Sequence, residues 1–205
     1  MYSILLAAGW PIWPLLAVSV LGLAILFERT WYLRKKHIIP KAVLEMAFAG
    51  ADEAKPNTFD FQKELAQSSP IGPLLAGVIR EKSLNHSAEM ALEELQALAE
   101  SLWSKLDRYL GALATIATIA PLLGLFGTVV GMIEIFGSQG ASSGGVANPQ
   151  QLAHGISIAL YNTAFGLLIA IPALAGWRIM RALADQRQRE CEECTRQLFK
   201  KLYPE

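Results

Sequence analysis

Two long stretches of this chain carry almost no charge. From Met1 to Phe27 there is no Asp, Glu, Lys or Arg, and from Tyr109 to Trp177 there is one, Glu134. All other charges lie in 28–108 and 178–205. A helix in water needs a solvated polar face, and these runs provide none. A helix needs about 20 mostly apolar residues to cross a hydrocarbon core of about 30 Å. The pattern therefore predicts three spans, at 12–33, 109–136 and 152–178. Trp10 and Trp13 flank the first at one end, and Trp31 and Tyr32 at the other, as interfacial anchors do.

Between the spans the pattern changes. Ala88, Leu92, Leu95, Ala99, Leu102 and Leu106 recur at helical spacing, with acidic and basic residues on the other faces. No Gly or Pro separates this segment from the second span, so the spacing predicts one helix from about 87 to 136. The third span likewise predicts a helix continuing through the charged tail to about 199. Residues 50–57 and 68–73 read as turns, and the charge-free, Gly/Ser/Asn/Gln-rich segment 137–151 as a short exposed loop. Within it, Asn148-Pro149 signals a helix start. The fold class is all-α: a polytopic membrane protein with three transmembrane helices and long helical extensions at 34–108 and 179–205.

Composition agrees. Hydrophobic residues make up 53% and charged residues 18%, against about 25% charged in soluble domains. The net charge is zero, which offers no argument for nucleic acid. Basic residues set the direction. Arg29, Arg34, Lys35, Lys36 and Lys41 follow span one, Lys105 and Arg108 precede span two, and Arg178, Arg181, Arg187 and Arg189 follow span three. Residues 1–11 and 137–151 have no Lys or Arg. The positive-inside rule puts these two segments outside and both charged regions, with the carboxyl terminus, in the cytoplasm.

Spans two and three each carry a stripe of small residues. Projected at about 100° per residue, Ala120, Gly124, Gly127, Thr128 and Gly131 share one face of span two. Ala159, Thr163, Gly166, Ala170 and Ala173 share one face of span three. Gly and Ala stripes let membrane helices approach closely. A threonine hydroxyl can bond its own i−4 carbonyl, or it can face a polar cavity or partner. Asn162 beside Thr163 favours the second reading, because a mid-span amide needs a partner other than lipid. Ion paths through bilayers commonly use an intramembrane carboxylate. Here Glu134 alone is available, near the outer end, where interfacial water can reach it. An ion path lined by this chain must therefore borrow its mid-membrane acid from another protein.

Other polar features carry less. Cys191 and Cys194 form a single CxxC in a charged helix, best read as reduced thiols, since zinc needs three or four ligands. His37 lies in the basic patch and His154 near the outer start of span three. No nucleophile–base pair, phosphate loop, cofactor motif or metal constellation is present in the sequence, so the chain does not read as an enzyme.

The stretches ATIAPLLGLFGTVVGMI (117–133) and GISIALYNTAFGLLIAIPAL (155–174) resemble the two signature segments of the MotA/TolQ/ExbB proton-channel family, most closely its ExbB and TolQ branches. ERTWYL after span one and SPIGPLLAGVI also look familial. The resemblance implies a subunit of an inner-membrane energiser. Several copies, usually five, surround the single transmembrane helices of an ExbD- or TolR-like partner. An aspartate on that helix carries protons, and Thr128 and Thr163 face it. The flow drives TonB- or Tol-type work at the outer membrane, through a TonB- or TolA-like protein. The segments placed outside are then periplasmic. One position departs from the pattern: Ile158 stands where ExbB and TolQ commonly carry a glutamate. A competing reading is a non-conducting membrane scaffold, in which the small stripes only hold helices together.

Overall fold

A computed structural model describes residues 10–52, 59–140 and 149–204. All regular elements among these residues are α-helices: α1 (Ile12–Tyr32), α2 (Lys35–Ile38), α3 (Lys41–Asp52), α4 (Phe59–Ser68), α5 (Gly72–Ser83), α6 (Ala88–Asp107), α7 (Leu110–Gly140) and α8 (Pro149–Leu202). Three helical runs are long and apolar enough to cross a membrane: α1, the α6–α7 run and α8. The chain is thus an all-α polytopic membrane protein. Its contacts divide it into two compact units, residues 1–28 with 109–179, and residues 29–108 with 180–205.

The first unit is the apolar one. Leu113 and Ala117 of α7 and Ala173 of α8 are buried together, with Ile25, Leu26, Ile116 and Trp177 packed on them. Close approach explains two glycines. A Cβ on Gly22 would stand 3.4 Å from Ile116, and one on Gly176 would collide with Leu26. The outward faces are equally apolar: Val20, Phe27, Leu122, Val129, Ile133, Leu160, Leu168 and Ile171 are all at least half exposed. A chain in water would bury such side chains; in a bilayer they face solvent of their own kind.

The second unit has a conventional core. Helix α5 is its centre, with Leu74, Leu75, Val78 and Ile79 buried. A Cβ on Gly77 would lie 2.6 Å from Leu98 of α6. The α5–α6 connection is a tight reversal. Asn85 takes φ 53°, and the amides of Asn85 and His86 donate to the carbonyls of Lys82 and Glu81, the pattern of a helix ended by a left-handed residue. Ser87 then caps α6, its hydroxyl accepting from the Met90 amide at 3.3 Å.

The single helix expected over 87–136 is interrupted. α6 stops at Asp107, Arg108 turns to φ −52°, ψ 136°, and Tyr109 adopts φ 63° before α7 begins. No glycine or proline causes this. Instead the guanidinium of Arg29, 2% exposed, donates to the carbonyls of Lys105 at 3.1 Å and Leu106 at 3.3 Å. A helix end needs partners for its last carbonyls, and a cation there also meets the negative end of the helix dipole. Both come from a residue more than 70 positions upstream.

The remaining boundaries shift by a few residues. α7 runs to Gly140, and α8 begins at Pro149, where proline is favoured because its missing N–H is not needed. α8 then continues unbroken to Leu202, as the tail pattern predicts. Gly50 is helical rather than part of a turn. The rest of that expected turn, most of the expected 137–151 loop and most of the segment before span one lie outside the described residues.

Candidate site along the α7–α8 seam

Helices α7 and α8 meet along their small residues. A Cβ on Gly131 would come 3.4 Å from the Cβ of Ala159. One on Gly127 would come 2.8 Å from the Cβ of Asn162, and one on Gly124 would come 2.7 Å from the Asn162 carbonyl oxygen and 3.1 Å from the Cα atoms of Thr163 and Gly166. One on Gly166 would come 2.7 Å from the Ala120 carbonyl oxygen. As the α7 position falls from 131 to 120, its α8 partner rises from 159 to 166. The two helices are therefore antiparallel, with backbone on backbone at Gly124 and Gly166. Real Cβ atoms are not found below about 3.0 Å, so these two positions require glycine as they stand.

The seam is closed. Ala120, Ala159, Ala170 and Ala173 are all buried, as are Gly124, Gly127 and Gly166. Asn162 is also buried, at 1% exposure. Its side chain occupies the space that a Cβ on Gly127 would take. The amide thus sits within the chain's own helix pair rather than on an outer face.

Thr128 and Thr163 are half-buried at the border of this seam. The Thr128 hydroxyl donates to the Leu125 carbonyl at 2.7 Å. This is a bond to i−3 rather than the i−4 carbonyl considered from the sequence. With its proton placed on its own helix, the oxygen keeps its lone pairs as acceptors. Glu134 is exposed, one turn beyond Gly131 on α7. The side chains of Ile158 and His154 lie outside what is described.

Sequence reasoning passes over three further hydroxyls. Thr115 donates to the Gly111 carbonyl at 2.9 Å, Thr118 to the Thr115 carbonyl at 2.9 Å, and Ser157 to the Ala153 carbonyl at 2.9 Å. All three are exposed. Thr115, Thr118, Leu122, Leu125 and Val129 follow one another at helical spacing down an exposed strip of α7 that borders Thr128. For the two threonines, spacing from Thr128 is the available signal.

Elsewhere, no group of three His, Cys, Asp or Glu side chains among the described residues could hold a metal ion. Cys191 is buried, and burial pushes its thiol up to about 12. Cys194 is raised for the same reason. Neither is a ready thiolate.

Three apolar spans, two of them zipped by small residues with hydroxyls at the border, define a polytopic helical membrane protein whose cross-membrane helices are built for close association. Comparison with known proteins gives the family. Residues 66–193, which contain both signature stretches, match the MotA/TolQ/ExbB proton channel family, and the chain belongs to it. It is similar to the biopolymer transport protein exbB1 of Vibrio cholerae, 32% identical over 190 residues, covering 90% of this chain and 80% of that one. The biopolymer transport protein ExbB of Salmonella typhimurium is 29% identical over 177 residues, with 80% and 69% covered. The Tol-Pal system protein TolQ of Haemophilus influenzae is 35% identical over 115 residues, with 55% and 44% covered. The chain is thus a membrane energiser subunit of the MotA/TolQ/ExbB type.

Proposed function

We propose that several copies of this chain, five by resemblance, form a dry tunnel in the inner membrane around the single span of an ExbD- or TolR-like partner, and that proton flow through the assembly drives TonB- or Tol-dependent work at the outer membrane. The amino terminus and the α7–α8 connection face the periplasm; 34–108 and the carboxyl-terminal tail face the cytoplasm. A partner aspartate is the titrating group. When protonated, it donates to the oxygens of Thr128 and Thr163; Asn162 stands behind them in the seam and fixes the pairing of the two helices. Glu134 marks the periplasmic end of the path.

The observation that carries this reading is the state of Thr128. Its proton is committed to the Leu125 carbonyl at 2.7 Å, so the hydroxyl offers acceptor capacity at the border of an otherwise closed apolar seam. A neutral carboxyl needs such an acceptor. A tunnel lined by apolar and hydroxyl groups also dewets and resists leakage. Moving one charge across 100 mV releases about 2.3 kcal/mol, which favours small, guided steps of this kind.

The scaffold reading accounts for the glycines equally well, since the seam lies within one chain. It gives no role to the border hydroxyls. Replacing Thr163 or Thr128 by Val in cells that depend on the system separates the two. Loss of energised uptake or envelope integrity with assembly intact supports conduction. Full activity in both variants overturns it.

A further inference from the structure

We infer that the groove between the α2–α3 segment and the tail of α8 is a binding site for the headgroup of an anionic phospholipid. The groove has a volume of about 490 Å³ and is lined by Lys35, Lys41 and Arg189 at its rim and by Ile39 and Leu44 on its floor. Its size lies within the range of small-ligand sites. The composition is amphiphilic in the way a lipid is, with cations for a phosphodiester and aliphatic side chains for the first carbons of an acyl chain.

Position supports the lipid source. Lys35 is three residues beyond Tyr32, the end of the first membrane-spanning helix. Three residues reach at most about 10 Å, so the Lys35 end of the groove lies at headgroup depth. Trp31 is exposed and stacks under the Arg34 guanidinium at 4.8 Å to the ring centroid, which anchors this turn at the interface.

Two acids, Glu190 and Glu193, also line the groove, but they do not cancel its charge. Glu190 is held by Arg187 at 2.9 Å as well as by Lys35 at 3.1 Å. Burial acts to raise its carboxyl, and hydrogen bonds from Gln186, Lys35 and Arg187 outweigh that and lower it. Glu193 is held by Gln197 and Arg196. Arg187 and Arg196 lie outside the rim and take up these negative charges. Lys41 and Arg189 are exposed and make no ion pair among the described residues. Two full positive charges therefore remain for an anion, with Lys35 able to turn from Glu190 toward it. Lipid binding here is independent of any proton path along the α7–α8 seam.

The test uses the full chain reconstituted in nanodiscs of equal parts phosphatidylglycerol and phosphatidylcholine. The lipid retained after extraction into detergent is counted by native mass spectrometry. The native chain retains phosphatidylglycerol in preference to phosphatidylcholine. Lys41→Gln and Arg189→Gln each reduce that preference by about fivefold, while Lys36→Gln, an exposed cation outside the groove, leaves it unchanged. Three results would overturn the inference: no preference in the native chain, an equal loss in Lys36→Gln, or inorganic phosphate displacing the lipid and binding alone with comparable affinity.

Discussion

Gly124 and Gly166 touch backbone to backbone: a Cβ built on Gly166 would lie 3.0 Å from the Gly124 Cα, and one built on Gly124 would lie 3.1 Å from the Gly166 Cα. The contact carries a direct prediction. Gly124→Ala pushes a methyl into the Asn162 carbonyl oxygen, which no rotamer change can relieve. The helices must part, at a cost of about 1–3 kcal/mol. Gly111, also in α7, has nothing within 4 Å of its Cβ direction, so Gly111→Ala is neutral or stabilising by up to about 1 kcal/mol. Thermal unfolding of the purified chain in detergent, comparing both variants, checks the contrast.

The threonines predict function rather than stability. Thr128→Val keeps the volume and removes an acceptor that a partner's carboxyl would use. A hydrogen bond from a neutral carboxyl is worth about 0.5–1.5 kcal/mol net, so energised work falls by roughly two- to tenfold, while the oligomer on size exclusion stays intact. Thr128→Ser keeps the oxygen and restores most of the activity. If Thr128→Ser failed as badly as Thr128→Val, shape rather than the hydroxyl would be the cause.

The seam is legible in the sequence because its causes are local. Small residues repeated at spacings of three and four can mean little else in an apolar helix. The three spans are legible for the same reason, since their lack of charge is read directly. Asn162 is only half legible. Its need for a polar setting is plain, but that setting is the space left by Gly127 on the neighbouring helix. The break at Tyr109 is not legible at all. Local propensity continues through Arg108 and Tyr109, and the cap that ends α6 arrives from Arg29 on another helix. The buried carboxylate of Glu81 is hidden likewise, because its hydrogen-bond partner His86 stands across a reversal that needs Asn85 at positive φ.

Arg29 provides the test of that distant cap. Arg29→Ala leaves the carbonyls of Lys105 and Leu106 without the guanidinium and opens space beside Tyr32, over whose ring the guanidinium sits at 4.8 Å. The expected loss is about 1.5–3 kcal/mol. Hydrogen exchange at 106–112 should accelerate more than exchange in α5. Arg29→Lys restores the charge but not the planar, weakly hydrated guanidinium that is stably buried and stacks over Tyr32, so it recovers only part of the protection. Uniform acceleration across all helices would show that Arg29 serves general stability rather than the helix end.

Glu81 predicts a pH dependence for the second unit. The Glu81 carboxylate, 4% exposed, accepts from Arg80 Nε at 3.0 Å and lies 2.7 Å from His86 Nδ1. Arg80 also pairs with Glu94 at 2.9 Å. Burial acts to raise the carboxyl, and the hydrogen bonds from His86 and Arg80 outweigh it, holding Glu81 below its ordinary value of 4.5. A group depressed in the folded state stabilises fully above its unfolded value, and that stabilisation is lost as pH falls through the folded value. Above the ordinary value, Glu81→Gln should therefore unfold more easily than the native chain, because Arg80 and His86 lose a charged acceptor. On acidification from there the gap between the two should close, since the native chain gives up what the variant never had. Melting temperatures measured from neutral pH down past the ordinary carboxylate range, with Glu94→Gln as the exposed control, read this directly. A gap that stays constant with pH would mean that Glu81 contributes through packing alone.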